Sequence, residues 1–145
     1  MKIRTGFVSN SSSSSFIIID ASEGYCDFEG PLSFGNIGTT EFGWGPEIVK
    51  DVHSRINFAY LQARYSKDRL KMLEKVIHDH SGLKEKITWN ITDECWPKDK
   101  KVWGYIDHQS AASEGVNLEM FEDEKALKDF LFGEGSKIVL DNDNH

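Results

Sequence analysis

The spacing of apolar residues changes several times along the chain, and each change predicts an element boundary. Met1 to Val8 alternates loosely with Lys2 and Arg4 on one side, and Phe16 to Asp20 is a second apolar run, so the polar tract between them predicts a hairpin. Residues 21–45 mix Gly24, Gly30, Gly35, Gly38 and Gly43 with Tyr25, Phe28, Phe34, Phe42 and Trp44, the pattern of an irregular segment anchored by its rings. Pro46 suits the first turn of a helix and Glu47 its positive end, and Val49, Val52, Ile56, Ala59, Tyr60 and Ala63 recur at helical spacing. Ser66 is a candidate N-cap for a second stretch, where Leu70, Leu73, Val76 and Ile77 continue the period until Ser81-Gly82 stops it. One bent helix or two would satisfy the pattern over 46–80.

After Gly82 the period becomes two. Ile87, Trp89 and Ile91 alternate with Thr88, Asn90 and Thr92, and Val102-Trp103-Gly104-Tyr105-Ile106 follows, which predicts neighbouring antiparallel strands. Val116, Leu118 and Met120 alternate once more, Asp123 to Phe132 reads as a short helix ended by Gly133, and Lys137 to Asp141 reads as a last strand. Strands that follow one another without intervening helices favour an α+β fold over a doubly wound one. The expected architecture is one domain over 1–145, with a mostly antiparallel sheet of five or six strands packed against two or three helices.

Composition supports that size of core and limits the partners. The chain has 145 residues with 39% hydrophobic and 28% charged side chains, enough to fold without staples. Its net charge of -7 opposes direct nucleic-acid binding and attraction to anionic membranes. Residues 114–145 hold nine acids and three lysines, a balance of -6, whereas residues 46–86 hold nine bases and six acids, or +3. An acidic surface facing a mildly basic helical region follows. Phe16 to Ile19 is far too short to span a bilayer. Cys26 and Cys95 fit neither a CxxC motif nor a zinc-ligand spacing, and no secretory segment opens the chain, so free thiols in a reducing cytoplasm are expected. The acceptor pattern Asn90-Ile91-Thr92 has no meaning without a secretory route.

The most informative polar stretch is Ser9-Asn10-Ser11-Ser12-Ser13-Ser14-Ser15, which sits between Gly6-Phe7-Val8 and Phe16-Ile17-Ile18-Ile19. An apolar frame on both sides predicts an ordered bend. Its hydroxyls and amides suit capping, an Asx or Ser/Thr turn, or an oxyanion, with Lys2 or Arg4 supplying charge. His78-Asp79-His80 carries metal-donor side chains, but positions i and i+2 of a helix diverge by about 200°, so a polar helix C-terminus is the plainer reading. Asp107-His108 follows a predicted strand, with Cys95 in the preceding connection, yet no nucleophile signature surrounds the cysteine. Asp141-Asn142-Asp143-Asn144 lacks the glycine and distal glutamate of a calcium loop. Trp44, Phe58, Tyr60, Trp89, Trp96 and Trp103 lack interleaved bases and read as core and rim packing. Gly43-Trp44-Gly45 has no phosphate-loop spacing.

The opening from Met1 to Phe16 resembles that of a set of small proteins from bacteriophages and bacteria, which begin with a short basic strand and the words FVSNSSSSSF. Phe42-Gly43-Trp44, the run Arg55 to Ala63, Phe130-Leu131-Phe132 and Asp141 to Asn144 also look like recurrent parts of that group. The resemblance implies a source and no mechanism.

The leading functional expectation is a small cytoplasmic accessory protein of phage type that binds a host or phage macromolecule, most simply a protein, without a cofactor and without catalysis. Its working surface would join the serine turn (Arg4, Ser9, Asn10, Ser11, Ser12 and Ser13) to Trp44, with Asp107 and His108 alongside. The alternatives are an enzyme or sensor that grips a nucleotide or phosphate in the Ser9 to Ser15 turn, using Asp107 or His108 as acid or base, and an acidic mimic of nucleic acid built from Glu114 onward.

Overall fold

The computed structural model describes residues 2–5, 13–42, 47–94, 97, 100–106 and 118–142. In chain order these form β1 (Lys2–Thr5), β2 (Ser13–Ile19), β3 (Ser33–Phe34), β4 (Glu41–Phe42), β5 (Glu47–Val49), α1 (Val52–Ala63), α2 (Lys67–Ser81), β6 (Thr88–Trp89), β7 (Ile91–Thr92), β8 (Val102–Trp103), β9 (Tyr105–Ile106), a 3-10 turn at Glu119–Phe121, α3 (Glu124–Phe132) and β10 (Lys137–Asn142). The fold is α+β. Among the described residues no helix is long and apolar enough to cross a membrane.

The largest sheet has the order β1-β2-β10-β5 and is antiparallel throughout. Its central row pairs Ile17 with Ile138 and Ile138 with Val49, all buried, which is how two β-branched runs distant in sequence share one core face. The predicted hairpin is present as the β1 and β2 pair. Ser13, Ser14 and Ser15 belong to β2, however, and not to a turn. The long partner β10 pairs with them through Asn142, Asp141 and Leu140, and a ladder offered on one side takes up serine main chain as readily as any other.

Two further expectations are corrected. Glu47 and Val49 do not open a helix: Glu47-Ile48-Val49 pairs with β10, and α1 begins five residues later than Glu47, at Val52, because Asp51 is the N-cap and accepts from the Ser54 amide at 2.9 Å. Val49 is buried from a strand instead. Strands β7 and β8, which join the two runs expected to be antiparallel neighbours, pair parallel, and the irregular segment adds two further parallel pairs, β3 with β6 and β4 with β9. Period-two alternation defines the face a strand buries but not the direction of its partner, and each of these ladders is only two residues long. Leu118 and Met120 belong to the irregular entry and the 3-10 turn before α3, with Met120 fully buried; Val116 lies outside the described residues.

The helices close one continuous core against the sheet. The chain breaks between α1 and α2 at Arg64-Tyr65, and Ser66 caps α2 by accepting from the Arg69 amide, so there are two helices. Gly82 ends α2 in the left-handed conformation (φ +73°). Asp123 caps α3 by accepting from the Ala126 amide at 2.7 Å. Helix α1 packs against both α2 and α3 and buries Ser54 through Ala59 without a break, so it has no exposed stripe in its middle. Its Phe58 meets Phe42 of the irregular segment edge to face at 5.1 Å, and that segment's other rings continue the cluster, Phe28 on Phe34 at 5.8 Å and Phe34 on Trp89 of β6 at 5.0 Å.

Two buried polar residues of α1 hold that irregular segment down. Asn57 donates from Nδ2 to the carbonyls of Ile37 and Thr39, both at 3.0 Å, and the Ser54 hydroxyl accepts from the Thr39 amide at 2.8 Å. Gly38 makes the approach possible. Its φ is +79°, and a Cβ there would lie 2.7 Å from the Ser54 Oγ and 2.8 Å from the Ser54 nitrogen. Gly38→Ala is therefore expected to lower the unfolding free energy by about 1–3 kcal/mol, measured by urea denaturation.

Candidate functional site

Most of the residues singled out in the sequence lie outside the described residues: Ser9, Asn10, Ser11, Ser12, Trp44, Asp107 and His108, together with Cys95 and Trp96. Arg4 and Ser13 are described through their main chains, in which Arg4 pairs with Ile17 and Ser13 with Asn142.

The strand registers nevertheless define where the flanks of these segments sit. Thr5 ends β1 opposite Phe16, Ser13 begins β2 opposite Asn142, and Glu47 begins β5 opposite Leu140, so all four strands of the sheet terminate or start at one end. The serine tract joins two of those termini and the segment containing Trp44 leads into a third. At the other side of that segment, Phe42 pairs with Ile106, the residue immediately before Asp107-His108. Five residue steps separate Phe42 from Glu47, a reach of at most about 18 Å. The ends of four strands and of the β4 and β9 pair are thereby tied to one region of the fold. Beside it, Ile48 is 57% exposed and pairs with the half-buried Val139 on the outer face of the sheet.

A second cluster, which sequence spacing did not reveal, surrounds the C-terminus of α3. Arg55 on α1 is only 1% exposed, and its guanidinium donates from one Nη to the carbonyls of Phe130 (2.9 Å) and Gly133 (2.7 Å). The other Nη faces the Cys26 sulfur at 3.7 Å, and Nε has no partner. Burial lowers the guanidinium pKa from its usual value, although arginine remains a cation at physiological pH. The Cys26 amide donates to the Phe132 carbonyl at 2.6 Å, and the Cys26 carbonyl lies 2.8 Å from His80 Nε2. A carbonyl can only accept, so Nε2 carries the proton in that contact. The His80 ring stacks on Phe132 at 4.0 Å. His78 faces a different carbonyl, that of Glu85, so the two imidazoles of His78-Asp79-His80 do not converge.

Beside Tyr25 runs a groove of about 490 Å³ that contains three carboxylates, Asp20, Asp123 and Asp129. Each is already engaged. Asp20 accepts from the Ser22 amide and hydroxyl, Asp123 caps α3, and Asp129 accepts from the Tyr25 hydroxyl and the Lys125 ammonium. The bond to Asp129 and partial burial raise the Tyr25 pKa, and the same carboxylate raises that of Lys125. Lys128 lies over the Tyr25 ring at 4.4 Å, and Lys75 of α2 bridges to Glu124 of α3 at 2.8 Å. Among the described residues no group of three or more His, Cys, Asp or Glu side chains is arranged to hold a metal ion.

Of the remaining rings, Tyr60 stacks on Trp89 at 4.4 Å, with the Trp89 indole donating to Glu74, and Trp103 meets Tyr105 at 4.4 Å with the planes tilted. Tyr65 is the most exposed, with the Arg64 guanidinium 5.0 Å from its ring centre and its hydroxyl donating to Asp93. Comparison with protein-family models, curated proteins and solved structures returned no match.

The two Ser22 hydrogen bonds hold the Asp20 carboxyl below its ordinary value of 3.8. A lowered folded-state pKa adds stability that is present above the ordinary value and is lost as pH falls through the folded one. The stability difference between the wild type and Asp20→Asn, measured by urea denaturation, is therefore expected to be largest near neutral pH and to disappear in acid below 3.8.

Proposed function

We propose that the protein is a small accessory protein that acts by binding another protein, and that it does so through the end of the fold where β1, β2, β5 and β10 meet. The observation that carries this reading is the convergence of the strand termini: the flanks of the serine tract, of the Trp44 segment and of Asp107-His108 are tied to one region. Ile48 adds an exposed apolar side chain beside it. An exposed apolar side chain within a polar surface suits the centre of a transient protein interface. The resemblance of the first sixteen residues to bacteriophage and bacterial proteins suggests a bacterial cell as the setting.

Two features weigh against the alternatives. For phosphate binding, Asp141 pairs directly across from Ser14, which puts an acidic residue on the ladder beside the serine tract. For nucleic-acid mimicry, the carboxylates must be free to face a basic groove, yet Asp123, Glu124 and Asp129 are spent on a helix cap and on lysines within the fold.

The test is affinity capture with the full chain from bacterial lysate, with and without phage infection, followed by titration of the recovered partner. One stoichiometric protein partner is expected, bound at least about tenfold more weakly by Ile48→Asp or Trp44→Ala, the loss of one central contact of about 1.4 kcal/mol. Recovery of no partner, or binding indifferent to both substitutions, would contradict the proposal. Thermal stabilisation by a nucleotide would support the phosphate reading instead, with about 2.7 kcal/mol expected at a hundred times the dissociation constant.

A further inference from the structure

The surroundings of Arg55 lack one thing that a buried cation requires. Arg55 makes no ion pair with Asp or Glu among the described residues, and the only carboxylate that acts on it through space there is Asp51, the N-cap of its own helix. Its acceptors are two neutral carbonyls and a thiol sulfur, and Nε has none. Sulfur is a weak acceptor, so the 3.7 Å bond to Cys26 satisfies the charged donor less well than an anionic oxygen would. A guanidinium 1% exposed, with one Nη facing that sulfur and its Nε unpartnered, can receive an oxyanion carried on the sulfur.

We infer that Cys26 is a site of oxidation by peroxide, and that Arg55 holds the anionic product. Cys26 is a free, partly exposed thiol. Its position is fixed from both sides, by the Phe132 carbonyl on its amide and His80 Nε2 on its carbonyl. In the first step a peroxide oxygen bonds to the sulfur as the O–O bond breaks, and the thiol proton leaves with the other oxygen as water. Sulfur is oxidised to the sulfenic acid and the peroxide is reduced. A second peroxide repeats the exchange to give the sulfinic acid, which releases its proton to solvent and is an anion at neutral pH. An oxygen on the sulfur shortens the gap to the guanidinium to hydrogen-bonding reach, and the buried cation gains its counter-ion. Oxidation therefore stabilises the fold, the opposite of what an added polar group does in an apolar core.

The experiment treats the full-length Cys95→Ser protein with hydrogen peroxide and reads intact mass, peptide maps and Tm. Two oxygens are expected on Cys26, with Tm raised by about 4 °C and the Arg55 guanidinium resonances shifted. An unmodified Cys26 under conditions that consume free glutathione, or a Tm that falls on modification, would overturn the inference. A second measurement needs no oxidant and keeps Cys95. Cys26→Asp supplies a permanent anion and Cys26→Asn its neutral counterpart, so the aspartate variant is expected to melt higher. Equal or reversed Tm values would overturn the inference equally.

Discussion

A helix that ends inside a protein must find partners for its last carbonyls, and the fold of this chain is organised around how α3 does so. The Asp129 carbonyl accepts from the Gly133 amide and the Ser136 hydroxyl, those of Phe130 and Gly133 from Arg55, and that of Phe132 from the Cys26 amide. A buried guanidinium at the negative end of the helix dipole is favourable electrostatically. It also draws together three segments distant in sequence: α1 through Arg55, the exit of β2 through Cys26, and the approach to β10 through Ser136. The same cluster continues outward, since the Gly135 amide donates to the Asp20 carbonyl and the Asp20 amide to the Ser136 hydroxyl. What looks like a loop-to-loop contact is a ladder of main-chain bonds anchored on one side chain.

That anchor secures one end of the sheet, opposite the proposed binding region. Strands β2 and β10 are held at the Asp20 and Ser136 end by the α3 cluster and between them by the buried row of Ile17 and Ile138. Their far ends lie at the paired Ser13 and Asn142, where the serine tract enters and the acidic C-terminal residues begin. The division places architecture at one end of the sheet and the proposed binding region at the other. Cys26 and its oxidation belong to the architectural end, so modification there would act on stability, at a distance from the binding region.

Much of the fold was legible because it obeys local rules. The hairpin, the Ser66 cap, the Gly82 stop, the α3 helix between Asp123 and Gly133 and the last strand all follow from period, caps and breakers. The errors share a cause in tertiary pairing. Glu47-Ile48-Val49 resembles the start of a helix because Pro46 and Glu47 suit one, but β10 offers an edge for three β-branched or long side chains, and Asp51 is the better cap. The direction of the two-residue ladders was illegible because alternation is the same in either sense. Arg55 and Asn57 were illegible in a different way. They lie off the apolar stripe of Ile56 and Ala59, where a helix with one wet face would expose them, and only a helix buried all round turns them inward. The signal available was their immediate company, since five consecutive residues from Arg55 to Ala59 include three apolar ones. Of the candidate site, the registers supply the flanks and their convergence, whereas its central side chains lie outside the described residues.

The central claim is that the Arg55 guanidinium holds the C-terminus of α3 and with it the junction of α1, β2 and β10. Replacing a buried donor leaves its carbonyl partners unsatisfied, which costs far more than the net value of the bonds themselves. The most direct measurement is equilibrium urea unfolding of Arg55→Met, a side chain of similar length without the charge or donors. A loss of about 3 kcal/mol or more, with faster amide exchange at Cys26, Gly135 and Ser136, is the predicted result. A variant as stable as the wild type, with those amides equally protected, would contradict it.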